Sequence, residues 1–204
     1  METKDTYLTI AAPAKATYTE RRSKFIAHCI PVRSLEEIKS LLSDYRKQYF
    51  DARHVCYAYM LGMDRTNFRA NDDGEPSGTA GKPILGQLNS MGLTNVLVVV
   101  VRYFGGIKLG TGGLIVAYRA AAEACLSEAE IIEQIVEDEL TASFDYARMN
   151  DVMRVVKDVG ATVITQLYDP QPSLVLRIRR NTFATLQSRL THIQGCKVTL
   201  SEEQ

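Results

Sequence analysis

Hydrophobic positions along this chain form continuous, alternating and helical runs, and each predicts a different element. The continuous run is Val96-Leu97-Val98-Val99-Val100-Val101. It lacks polar alternation, which predicts a central strand buried on both faces. Residues 53–61 alternate, with His54, Cys56, Ala58 and Met60 on one strand face and Val55, Tyr57 and Tyr59 on the other. Residues 8–10 and 17–20 read as short strands around Pro13, and residues 24–32 as a third, ended by Pro31. Leu35, Ile38, Leu41, Leu42 and Tyr45 recur at helical spacing. Ser34 stands at the N-cap position, Glu36 and Glu37 fall in the first turn, and the helix runs to near Tyr49. Residues 84–91 predict a short helix after Pro83, closed by Gly92. Residues 114–129 are Ala-rich and strongly helical, with a small-residue face of Ala117, Ala120, Ala121, Ala124 and Cys125.

From residue 135 the pattern changes. It reads as strand 135–144, helix 146–159, strand 161–168, strand 173–179, helix 182–191 and strand 196–200. Gly160 stops the first helix, and Asp169-Pro170-Gln171-Pro172 turns the chain between the middle strands. This β-α-β-β-α-β order is the ferredoxin-like arrangement. The whole chain is therefore α+β, with domains at 1–133 and 134–204 and a boundary over residues 130–134.

Composition narrows the function classes. Lys+Arg and Asp+Glu are 24 each, so the net charge is zero, unlike a strongly basic nucleic-acid binder. Residues 1–133 carry 16 basic and 15 acidic side chains, so +1; residues 134–204 carry 8 and 9, so −1. No apolar run approaches the roughly 20 residues of a membrane helix, and the polar N-terminus leads into no signal-peptide core. A cytoplasmic protein without a membrane partner is expected. Cys29, Cys56, Cys125 and Cys196 are scattered with no C-x-x-C pair, which fits free thiols rather than a zinc ribbon.

Candidate chemistry concentrates in two loops flanking the continuous strand, which hold eight of the thirteen glycines. In the first, Asp72, Asp73 and Glu75 lie within four positions. Such carboxylates suit a hard cation or an acid–base pair. A plainer and favoured reading is a turn at Asp73-Gly74, with Asp72 accepting from backbone N–H groups. Gly81-Lys82 is not a P-loop, because Pro stands at positions 76 and 83. In the second loop, Gly110-Thr111-Gly112-Gly113 is not the dinucleotide fingerprint, since position 115 is Ile. Strand, glycine loop and helix N-terminus nonetheless form the context that binds phosphate, and Arg102 and Lys108 flank it. The competing reading is a tight turn of the Ala-rich helix against the sheet. His28 and His54 sit on strands read as neighbours, each near a cysteine. They are expected to be packed or hydrogen-bonded, not metal ligands. Arg177 and Arg179 share one strand face, as an RNA-backbone contact or a solvated surface.

The run Asp72-Asp73-Gly74-Glu75-Pro76-Ser77-Gly78-Thr79-Ala80-Gly81-Lys82-Pro83 resembles a signature of the IMPACT family, whose bacterial branch is the YigZ group. The run from Asn95 through Arg102-Tyr103-Phe104-Gly105-Gly106-Ile107-Lys108-Leu109-Gly110-Thr111-Gly112-Gly113-Leu114 resembles its second signature. Arg22-Ser23-Lys24-Phe25-Ile26 and Ala52-Arg53-His54 match as well. Lys108 stands where the family pattern carries Leu, which raises the local positive charge. The resemblance implies a ribosomal-protein-S5 domain-2-like domain followed by a ferredoxin-like domain similar to the last domain of elongation factor G. It also implies translational control, since eukaryotic relatives restrain the kinase that senses uncharged tRNA.

The leading expectation is a non-enzymatic, cofactor-free binding protein in translation regulation. Its partner would be RNA, the ribosome or a translation factor, with a small phosphate ligand as a further candidate. Arg53, Lys82, Arg102, Lys108, Gly110, Thr111, Gly112, Gly113, Arg177 and Arg179 would contact phosphate. The alternative is a phosphate-handling enzyme that holds Mg²⁺ on Asp72, Asp73 and Glu75 and substrate phosphate on the Gly110-Thr111-Gly112-Gly113 loop.

Overall fold

A computed structural model describes residues 5–168 and 171–200. In chain order it begins with β1 (Thr6–Ile10), β2 (Ala14–Glu20), β3 (Ser23–Pro31), α1 (Leu35–Gln48) and β4 (His54–Leu61). Next come β5 (Asn67–Asn71), α2 (Gly81–Ser90), β6 (Val96–Tyr103), α3 (Gly110–Ser127) and β7 (Ile131–Ile135). Then follow β8 (Glu137–Ser143), a 3-10 turn (Tyr146–Arg148), α4 (Met149–Val159), β9 (Thr162–Leu167), β10 (Ser173–Arg179), α5 (Arg180–Thr191) and β11 (Lys197–Leu200). The chain divides into two compact units, Tyr7–Gln134 and a smaller one of residues 5–6 with the described residues from Ile135 on.

In the larger unit the sheet order is β2-β3-β6-β4-β5, with every neighbouring pair antiparallel. β6 is the middle strand, and its apolar run is buried on both faces as its composition predicts. Val96, Val98 and Val100 pack with Leu88 of α2 and Ala117, Tyr118 and Ala121 of α3. Leu97, Val99 and Val101 pack in a second cluster with Ile38 of α1. Antiparallel sheets often leave one face wet; here helices line both. The Ala-rich face of α3 lets that helix lie close over β2 and β3. Ser34 caps α1, its side chain accepting from the Glu37 N–H at 3.1 Å.

The smaller unit has a four-stranded antiparallel sheet, order β11-β8-β10-β9. Leu140, Ala142, Leu174, Leu176 and Ile178 face Val152, Val155 and Val156 of α4 and Leu186 and Leu190 of α5. Gly160 ends α4 in the left-handed conformation, φ +76°. The turn residues Asp169 and Pro170 lie outside the described residues.

Several expectations need correction. β5 was not foreseen: it is a largely exposed edge strand of five residues paired to β4, and its alternation rests on Phe68 and Ala70 alone. No strand was expected over residues 130–134, yet Ile131–Ile135 forms β7, which pairs with β1. The strand expected over 135–144 is interrupted at Val136, whose N–H donates to the Asp5 carbonyl at 2.7 Å. α3 begins at Gly110, so the second glycine run is the first turn of the helix rather than a loop before it. His28 and His54 are not on neighbouring strands, because β6 lies between β3 and β4. His28 Nε2 is 2.9 Å from Tyr49 Oη, and its ring packs 4.8 Å from that of Tyr45.

Gly105 fixes where the loop after β6 runs. A Cβ there would fall 2.0 Å from the Arg22 carbonyl carbon, in the β2–β3 turn. Gly112 meets nothing within 4 Å. Gly105→Ala is expected to destabilise the protein by about 3 kcal/mol, whereas Gly112→Ala should be neutral or stabilising by up to about 1 kcal/mol. Urea denaturation of both variants checks the pair.

Burial, then the Lys15 charge, lowers the His28 pKa from 6.5 to about 4. A depressed histidine favours the fold above its unfolded value, and that contribution is lost as pH falls from 6.5 toward 4. Thermal melts across this window should show the loss in the native protein and a flatter profile in His28→Gln.

Candidate functional site

The acidic loop is fastened from within. Asp72 accepts from the backbone N–H groups of Gly78 at 2.8 Å, Ala80 at 3.0 Å and Gly81 at 2.8 Å. It thus caps α2 from a distance in sequence, a role Ala80 at the N-cap position cannot fill. Burial pushes the Asp72 carboxyl up, but these three donors outweigh it and hold the group below the usual carboxylate range. Asp73 pairs with Arg46 and accepts the Val55 N–H at 2.6 Å. Its carbonyl accepts from His54 Nδ1 at 2.9 Å.

Glu75 is the deepest of the three. Its carboxylate accepts from Arg102 Nη1 at 2.7 Å and from the Tyr118 hydroxyl at 2.8 Å. Cys56 Sγ lies 3.3 Å from Tyr118 Oη and 3.0 Å from the Asp72 carbonyl. Burial, then the neighbouring Cys56 and Glu75, raises the Tyr118 phenol, so it stays a proton donor. Burial likewise raises the Cys56 thiol. Every carboxylate of the loop therefore already has protein donors, and the arrangement braces the fold instead of presenting a cation cage. Among the described residues, no group of three or more His, Cys, Asp or Glu could hold a metal ion.

Beside this brace lies a cavity of about 580 Å³. It gathers Arg53, Arg102, Lys108, Gly110 and Thr111, and adds His54, Asp51 and Phe104, which the sequence did not single out as site residues. Its position follows from the fold: β4 supplies His54, the end of β6 supplies Arg102, and the loop after β6 delivers Lys108 to the N-terminus of α3. No side chain caps that helix. Arg102 is only 7% exposed and sits between two rings, 5.6 Å from the Phe25 centroid and 5.7 Å from that of Phe104. Its Nε is buried and has no hydrogen-bond partner. Asp51 accepts from the Tyr103 hydroxyl at 2.8 Å.

The other predicted cations lie elsewhere. Lys82 lines a separate cavity of about 740 Å³ with Gly78, Ile115 and Arg119. Gly112 and Gly113 belong to the first turn of α3 but do not line the Arg102 cavity. Arg177 and Arg179 are in the smaller unit; Arg177 Nη2 is 2.7 Å from Glu139 Oε1, and Arg179 Nε is 3.2 Å from Asp5 Oδ2. Among the described residues, no helix is long and apolar enough to cross a membrane.

The Impact N-terminal domain model matches residues 21–126. "IMPACT family member YvyE" of Bacillus subtilis (strain 168) is 36% identical over 152 residues, covering 74% of this chain and 70% of the relative. "IMPACT family member YigZ" of Escherichia coli (strain K12) is 33% identical over 176 residues, covering 85% of each. A crystal structure described only as that of a hypothetical protein matches with TM-score 0.72 and 29% identity, over 99% of this chain and 100% of its own.

Breaking one side of a buried ion pair leaves a charge without compensation. Arg102→Met is expected to cost about 3–5 kcal/mol, and the double variant Glu75→Leu/Arg102→Met markedly less. A double-mutant cycle by urea denaturation measures the difference.

Proposed function

This chain belongs to the IMPACT family, and within it the YigZ group; we propose that it is a non-enzymatic binding protein of translational control that contacts ribosomal RNA through phosphate. The carrying observation is the convergence of Arg53, Arg102 and Lys108 with the N-terminus of α3 in one cavity. Helix N-terminal N–H groups and the helix dipole favour an anion there. Lys82, exposed on the neighbouring cavity with Arg119, extends the basic surface along α2 and α3. We read the larger unit as S5 domain-2-like. The smaller is read as a ferredoxin-like domain akin to the last domain of elongation factor G, in keeping with its strand-helix-strand-strand-helix-strand order. A cytoplasmic location belongs to the same reading. Arg177 and Arg179 carry carboxylate partners and contribute less.

The enzyme alternative draws no support from the site, since Asp72, Asp73 and Glu75 are each held by protein donors.

Co-sedimentation with ribosomes at low and moderate salt tests the proposal. Association should weaken with salt on a log–log slope of about −2 to −3, as for some three neutralised phosphates. Arg53→Ala/Lys82→Ala/Lys108→Ala replaces only exposed side chains and should abolish it. Absence of association at low salt would sink direct ribosome contact.

A further inference from the structure

The cavity at the start of α3 is more than a charged spot. Its floor is the Arg102 guanidinium, with the buried Nε lacking a partner. One wall is the helix N-terminus at Gly110 and Thr111, with Lys108 beside it. The other lining is apolar: Pro76, Leu109, Leu114 and the ring of Phe104. Phe104 is a large aromatic left 56% exposed at the mouth of a basic cavity, with one contact to Arg102 already made. At about 580 Å³ the space falls within the roughly 300–1,000 Å³ of small-molecule sites. Duplex phosphate recognition needs no such depth and no exposed ring. A unit with one phosphate and one flat aromatic group uses both halves.

The charges set the size of the anion. Arg53, Arg102 and Lys108 face Asp51 and Glu75 around the cavity, a surplus of one positive charge among the Arg, Lys, Asp and Glu side chains. That surplus suits a single phosphate and not a triphosphate. Arg102 cannot simply swing to the ligand, because Glu75 holds its Nη1. It offers a fixed positive charge instead, so the site needs little reorganisation on binding.

We infer that this cavity binds a nucleoside 5′-monophosphate unit, either a free mononucleotide or the 5′-terminal nucleotide of an RNA. The phosphate lies at the α3 N-terminus against Lys108, over the fixed positive charge of Arg102, and the base stacks on Phe104. The inference rests on reading the cavity as a phosphate contact, and not on the ribosome being its source.

Isothermal titration of the full chain with adenosine 5′-monophosphate, adenosine and inorganic phosphate tests it. The monophosphate should bind, adenosine should not, and phosphate should bind more weakly. Phe104→Ala and Lys108→Gln, both replacing exposed side chains, should each weaken the monophosphate about tenfold. Phosphate alone should respond only to Lys108→Gln. An RNA octamer with a 5′-phosphate that competes where its 5′-hydroxyl counterpart does not identifies an RNA end as a source; competition by neither leaves the free nucleotide. No heat of binding at millimolar monophosphate, adenosine binding as tightly as its phosphate, or affinity that both variants leave intact would each overturn the inference. Ribosome association without nucleotide binding removes this inference and leaves the translation proposal standing. Nucleotide binding without ribosome association does the reverse.

Discussion

The buried pair between Glu75 and Arg102 is the contact on which the site depends. Removing two charges from water is costly, and further contacts to each partner offset that cost. Here the Tyr118 hydroxyl donates to the same carboxylate oxygen, and two aromatic rings flank the guanidinium. The three residues come from the acidic loop, the central strand β6 and the helix α3. One contact therefore joins the elements that surround the cavity. A flexible glycine loop would otherwise lose its position to backbone entropy. Asp72 and Asp73 act in the same sense, one capping α2 and the other tying the loop to β4 and Arg46.

This division of labour explains why the sequence was readable in some places and opaque in others. β6 was legible because six successive apolar residues have few alternatives to burial on both sides. α1 was legible because Ser34 and its apolar spacing agree. β5 was not, since an alternation of two apolar residues, Phe68 and Ala70, in a largely exposed five-residue edge strand is too short to stand out, and the strand is held by its ladder to β4. The break at Val136 also left no mark: residues on both sides favour extended structure, and only hydrogen bonding shows that β7 and β8 serve different sheets. The start of α3 was displaced for a related reason. Glycine is a poor helix former, so the run at 110–113 looked like loop, although tertiary packing carries the helix through it.

At the site, residue types pointed to the right neighbourhood but not to the pairing. Three carboxylates and several cations in two loops suggested a metal or a phosphate. Spacing alone cannot show that Glu75 and Arg102 satisfy one another across 27 positions. That pairing removes Glu75 from metal chemistry and turns Arg102 from a surface cation into a fixed floor. Nor does spacing reveal that Lys82 faces a different cavity from Lys108. Phe104 carried a signal that went unused: an aromatic directly after Arg102-Tyr103 and before two glycines has no strand position in which to hide.

A chain of zero net charge gains little from long-range attraction to nucleic acid, so under the proposed function recognition would come from local geometry. The cavity supplies it in an economical form. Two of its acidic groups are committed to internal donors, Glu75 to Arg102 and Tyr118 and Asp51 to Tyr103. Their charges fix donor positions while reducing the net field. Such a site discriminates by fit at a few fixed donors more than by bulk potential. On the proposed reading, a protein built this way would meet ribosomal RNA without being captured by every polyanion it encounters.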